Sequence, residues 1–142
     1  MKLSTRGRYG LRALADLAIH DEGSPVTLAD IARRQRISDG YLESIFSMLK
    51  KAGLVRSVKG AGGGYRLARP AAEISAGEVL TALEGDLSIV EPDLNDDGPY
   101  TLSQCIKENV WDVVSRRIKA EVDAVSLKQL IEGRENTLPQ ED

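Results

Sequence analysis

The chain has 142 residues, 42% hydrophobic and 29% charged, with a single cysteine. That balance suits one compact soluble domain, with room for an appendage, and excludes a disordered chain or an intrachain disulfide framework. The net charge of −3 conceals an asymmetry: residues 1–70 hold 13 Lys and Arg against 6 Asp and Glu, and residues 71–142 hold 6 against 16. A basic half joined to an acidic half points towards nucleic-acid contact.

No apolar run reaches the length of a membrane span, and MKLSTRGRYG has no signal-peptide core, so a cytoplasmic location and no membrane partner are expected. Over residues 9–20, Leu11, Leu14, Ala15 and Ala18 recur at helical spacing with Leu17 beside them. Arg12 and Asp16 fall outside that stripe. Gly23 and Pro25 end this helix. Thr27, with Asp30 three residues on, resembles a capping box opening a short helix that turns Leu28, Ile31 and Ala32 inward. Ser38 is a good N-cap for a third helix, whose apolar face is Leu42, Ile45, Phe46 and Leu49. Lys50 and Lys51 suit its last turn, and Gly53 its stop. Its opposite face offers Asp39, Gly40, Glu43, Ser44 and Ser47. A short helix, a tight turn and a second amphipathic helix make a helix-turn-helix pattern.

LVRSV (residues 54–58) and YRLAR (residues 65–69) read as strands, so Gly60, Gly62, Gly63 and Gly64 form a hairpin tip. Pro70 ends the second strand, and Ser75 caps a helix closed by Gly85. Residues 86–101 read as an acidic loop of the kind that receives an effector. A long helix is expected from Leu102 to Val125, about 36 Å at 1.5 Å per residue. That exceeds what a small domain needs to cover its core, so Ile106, Val110, Val113, Val114 and Ile118 are expected to meet a second subunit. Ser126 starts a short final segment that closes residues 102–133, and residues 134–142 are expected to be a flexible tail.

The glycine run could instead cradle a nucleotide phosphate. A P-loop or a dinucleotide fingerprint needs a helix after its last glycine. Here Tyr65 and a strand follow Gly64. No Ser/His/Asp set or metal-ligand cluster accompanies it, so no enzyme is expected. A hairpin after a helix-turn-helix is the wing of a winged-helix domain, here residues 1–85. The fold class is therefore mainly α: a winged helix-turn-helix with a two-stranded β wing plus a long C-terminal dimerisation helix.

STRGRYGLRAL, ADIARRQRISDGYLESIFSMLKKAGLVRSVKGAGGGYRLARP and ISAGEVLTALEG resemble the IscR-type winged-helix transcription regulators over about residues 1–90. The resemblance implies a homodimer that binds double-stranded DNA at an imperfect palindrome. Many such regulators hold an iron–sulfur cluster on three cysteines before the long helix, commonly with a histidine. This chain has Cys105 alone there, so the conventional ligand set is absent and no cofactor or metal is expected. In this it resembles the family's cluster-less branch, which includes repressors of cysteine and sulfur metabolism. A repressor is the leading expectation, with a protein or small-molecule effector. The alternative is a module whose main role is docking a partner protein or sensing thiol oxidation.

For base readout Glu43 stands out, because a carboxylate can accept from cytosine N4 in the major groove. The resemblance supports it, while placing Gly40 where related regulators use a serine. Ser44 and Ser47 are further candidates. Phosphate contacts are expected from Arg6, Arg8, Arg33, Arg34, Lys59 and Arg66, with neutral bonds from Ser4, Thr5 and Tyr41. Cys105 is expected to pack as a small apolar residue, with redox sensing as the functional alternative. His20 and Trp111 are expected in surface and packing roles.

Overall fold

The computed structural model describes residues 3–91, 98–99 and 101–137. Helices α1 (Thr5–His20), α2 (Leu28–Gln35) and α3 (Asp39–Lys51) precede a hairpin of β1 (Val55–Val58) and β2 (Gly64–Leu67). A 3-10 turn over Ala71–Glu73 leads to α4 (Ala76–Glu84). After the acidic loop come α5 (Leu102–Ile106), α6 (Asp112–Asp123) and α7 (Leu127–Thr137).

Side-chain hydroxyls set the helix starts. Thr27, Ser38, Ser75 and Thr101 accept the backbone N–H of Asp30, Tyr41, Glu78 and Gln104. Helix α1 is capped from outside. Glu84 Oε1, at the end of α4, accepts from the backbone N of Ser4 and of Gly7, each at 3.0 Å, and from Ser4 Oγ. A carboxylate there also meets the positive end of the helix dipole. Gly7 leaves the room it needs, since a Cβ would fall 2.4 Å from Glu84 Oε1. One turn on, a Cβ at Gly10 would fall 2.1 Å from Leu83 Cδ1. The two glycines of GRYG thus let α1 and α4 approach closely.

The core gathers Leu14, Leu17, Ile31, Leu42, Ile45, Phe46, Leu49, Ile74, Val79 and Leu83 from α1 through α4. Asp16, expected outside the apolar stripe of α1, is buried with them. It can be because partners from α2 satisfy its carboxylate. Leu127 of α7 also lies in this core. The chain returns through Ala76 N to Val125 O at 2.7 Å and Leu127 N to Ile74 O at 2.9 Å. Ser126 and Gln129 form a reciprocal capping box at the start of α7. The final helix therefore closes the core of residues 1–85. It also runs on to Thr137, four residues into the segment expected as a flexible tail.

In the wing, Val55 pairs with Leu67, Arg56 with Arg66, Ser57 with Tyr65 and Val58 with Gly64. Val26 adds a bridge to Tyr65, with bonds of 2.8 and 2.9 Å. Gly63 N donates to Gly60 O at 3.0 Å, and Gly62, with φ +74, takes the position of a type II turn that favours glycine. Gly64 is more constrained: φ is +154, and a Cβ would sit 2.4 Å from the Val26 carbonyl oxygen.

The expected long helix is present from Leu102 to Asp123 and is broken in register by a π turn over Lys107–Trp111. Bonds of the i→i+5 kind widen that turn, so Ile106 and Trp111 share a side. None of the residues in α5, the π turn or α6 is buried.

Gly64→Ala should lose at least ~2 kcal/mol of unfolding free energy, from the strained φ and the clash with backbone. Urea denaturation followed by circular dichroism measures it, and an unchanged midpoint would refute the close approach to Val26.

Candidate nucleic-acid interface

Helix α3 has two sharply different faces. Leu42, Ile45, Phe46 and Leu49 are buried, whereas Gly40, Glu43, Ser44 and Ser47 are exposed. Among the described residues Glu43 has no hydrogen bond or ion pair, so its carboxylate is available. At Gly40 a Cβ would meet nothing within 4 Å. The fold therefore does not require glycine there, although glycine within a helix costs about 1 kcal/mol against alanine.

Both ends of α3 are fastened. Thr5 Oγ1 and Tyr41 OH lie 2.9 Å apart and tie its first turn to α1. Tyr9 packs edge-on against Tyr41, with centroids 6.1 Å apart. At the other end Lys50 Nζ donates to Ser57 Oγ of the wing at 3.0 Å. Phe46 meets Tyr65 of the wing edge-on at 5.0 Å.

A buried ion pair fixes α2 against α1. Arg34 forks onto Asp16, with Nη2 to Oδ1 at 2.7 Å and Nε to Oδ2 at 3.0 Å. Gln35 Nε2 adds a bond to Oδ2 at 2.7 Å, and His20 Nδ1 lies 3.5 Å from Oδ1. Burial pushes the Asp16 carboxyl up. Hydrogen bonds from Arg34 and Gln35, with the charges of Arg34 and His20, outweigh that and hold it below its ordinary value. Arg34 is raised, chiefly by its hydrogen bond to Asp16.

Several side chains expected at phosphates are also bonded within the chain. Arg34 is held by Asp16, and Ser4 by Glu84. Arg6 Nε donates to Leu83 O at 2.8 Å. Arg66 Nε donates to Asp21 Oδ1 at 2.9 Å, while Asp21 Oδ2 accepts Leu67 N at 3.1 Å. Asp21 thereby offsets the repulsion between Arg66 and Arg56 directly across the hairpin. Arg8, Lys59 and Arg33 remain exposed; Arg33 has only a surface pair with Asp30 at 3.3 Å and is 74% exposed. Arg36, Lys51 and Arg56 are also exposed, and sequence reasoning missed them. For Arg56 the signal was present: in LVRSV it alternates with the buried Val55.

Towards the C-terminus Leu102, Ile106, Val110, Trp111 and Val114 are exposed large apolar side chains on one continuous helix. Val113 and Ile118, expected with them, are half-buried. Cys105 is exposed rather than packed, and Asn109 Nδ2 donates to its carbonyl at 2.8 Å. Between residues 86–91 and α5–α6 runs a groove of 820 Å³, lined in part by Val90, Ile106, Trp111 and Ser115. Residues 92–97 and 100 of the acidic loop lie outside the described residues.

A family model named Rrf2, described as an iron-dependent transcriptional regulator, matches residues 3–133. The chain belongs to the Rrf2 family. The regulator IscR of Aliivibrio salmonicida is 42% identical over 135 residues, covering 95% of this chain and 80% of that one. CymR, the global cysteine regulator of B. subtilis, superposes with a TM-score of 0.78 at 37% identity, covering 93% of this chain and 97% of that one. IscR of T. potens gives 0.77 at 36% identity, covering 99% and 94%. As an Rrf2 protein this chain is a DNA-binding transcription regulator with a winged helix-turn-helix fold, and not an enzyme. Among the described residues no helix is long and apolar enough to cross a membrane.

The iron in the Rrf2 description can be set against the donors. The whole chain has one cysteine and one histidine. His20 is on α1, with Nδ1 2.9 Å from Asp16 O, and Cys105 is on α5. The described residues hold no group of three or more His, Cys, Asp or Glu arranged for a metal. One thiol per chain does not fit a thiolate-ligated iron–sulfur cluster.

Asp16→Asn should cost about 3 kcal/mol at neutral pH, because it leaves Arg34 without its counter-charge. A carboxyl held below its ordinary value contributes stability that is complete above about pH 4 and lost as the pH falls further. The gap between wild type and Asp16→Asn in urea unfolding should therefore be constant from pH 7 to about 5 and narrow below about 4. A gap independent of pH would refute the ion pair.

Proposed function

We propose that the chain is a cytoplasmic homodimeric repressor that reads an imperfect palindrome, with one α3 in each half-site. The observation that carries this is the open face of α3: an exposed, unpartnered Glu43 beside Gly40, Ser44 and Ser47, on a helix fastened at both ends. Glu43 accepts from a cytosine amino group in the major groove. Tyr41, Thr5, Arg8, Arg33 and Lys59 bind flanking phosphates, and the wing tip at Gly60 and Gly62 follows the backbone. Likeness to CymR, named for cysteine regulation, supports control of cysteine or sulfur metabolism.

The exposed apolar residues of α5–α6 support dimerisation through this helix, since isolated soluble chains rarely leave such a stripe open. A small-molecule effector would find its room in the groove between residues 86–91 and α5–α6. A protein partner or oxidation of the exposed Cys105 are the other routes for a signal.

Selection from a randomised duplex pool tests the DNA reading. Wild type should return a two-fold symmetric site, and Glu43→Ala should lose about 1–3 kcal/mol of discrimination at the cytosine position while keeping nonspecific affinity. Unchanged preference in the variant would remove Glu43 from base readout. For the dimer, Val114→Asp should weaken self-association by roughly a hundredfold, about 3 kcal/mol, through a buried unpaired charge. Light scattering across a dilution series reads this, and an undisturbed dimer would place the subunit contact elsewhere.

A further inference from the structure

Helix α2 ends in a Schellman-type stop. Ile37 N donates to Ala32 O at 3.1 Å, the backbone N–H of Arg36 donates to the same carbonyl, and Ile37 and Ala32 are both buried. Such a stop needs a left-handed residue, normally glycine and sometimes asparagine. Arg36 fills it with φ 57 and ψ 49, the sole positive-φ residue among the described residues that is not glycine. A β-carbon makes that conformation costly.

Among the described residues no contact of the Arg36 side chain compensates for it. Arg36 is exposed, and among the described residues its guanidinium has no ion pair, hydrogen bond or aromatic face. Its neighbours differ. Arg34 is locked onto Asp16, and the Gln35 carbonyl accepts from Arg12 Nη2 at 2.8 Å. Asp39, the nearest carboxylate in sequence, is not within ion-pair distance of it. The fold needs a left-handed residue here but not an arginine, and a strained side chain kept where glycine would serve is characteristic of functional sites.

We infer that Arg36 is a DNA phosphate contact, held by the left-handed turn at the entrance to α3. It stands two residues before Ser38, the cap of the helix that carries Glu43, with the exposed Arg33 one turn earlier on α2. A guanidinium presents a planar fork suited to a phosphate. The inference rests on reading α3 as the recognition helix and adds the contact that fixes its register on the backbone.

The test uses the full chain and a duplex that the wild type selects from a randomised pool. Arg36→Gly removes charge and strain together, Arg36→Gln removes charge alone, and Arg116→Gln is a control at an exposed cation of α6. Arg36→Gly should melt higher than wild type by roughly 3 °C. Both Arg36 variants should flatten the slope of log affinity against log salt by about 0.9 per protomer, with unchanged base preference. The control should keep the wild-type slope. Wild-type slopes in both Arg36 variants would overturn the contact, whatever the melting temperature. A lower melting temperature for Arg36→Gly would overturn the strain argument. If wild type itself selects no site and shows no salt dependence, the recognition reading of α3 falls and Arg36 falls with it.

Discussion

The buried carboxylate of Asp16 is the constraint on which the reading head depends. A charge at 2% exposure is tolerable only when paired and hydrogen-bonded. Here all its partners come from the end of α2 or from its own helix. Satisfying it therefore fixes the rotation and height of α2 on α1. The left-handed turn at Arg36 then sets the direction in which α3 leaves. An apolar contact would stabilise the same packing but tolerate small slides. A forked ion pair with bonds of 2.7 and 3.0 Å does not.

A second fixed point lies at the other end of α1. Glu84 holds the N–H groups of Ser4 and Gly7, and Arg6 reaches back to Leu83. The TRGRYG segment (residues 5–10), whose two arginines suggest DNA, is thus in part a packing device. Its glycines admit α4, and Arg6 secures the contact. Thr5 extends the same anchor to Tyr41 of α3.

Much of this fold was legible in the sequence because its signals are local. Thr27, Ser38 and Ser75 announce their helices, Gly53 and Gly85 end two of them, and the apolar face of α3 is plain in its spacing. What was not legible depends on partners distant in sequence. Asp16 resembles a solvent-facing residue until Arg34, 18 positions on, is folded against it. Arg34 and Arg66 look like free cations because nothing local shows Asp16 or Asp21 waiting for them. The sequence shows a hairpin tip but not that Gly63 and Gly64 are required by the carbonyls of Val58 and Val26. The π turn has no composition of its own, so a regular period does not show it.

The re-entry of the chain at Leu127 has a mechanical consequence. The long helix is clamped at its far end by Leu127 in the core, and along its length Ser115 Oγ accepts Ile89 N at 3.1 Å. Its far half is thereby attached to its own head at two points. In a dimer joined through this helix, a small change in the angle between the two long helices would have little slack to absorb it. It would appear as a change in the separation of the two α3 helices, and such a dimer would act as a caliper set against the helical repeat of DNA.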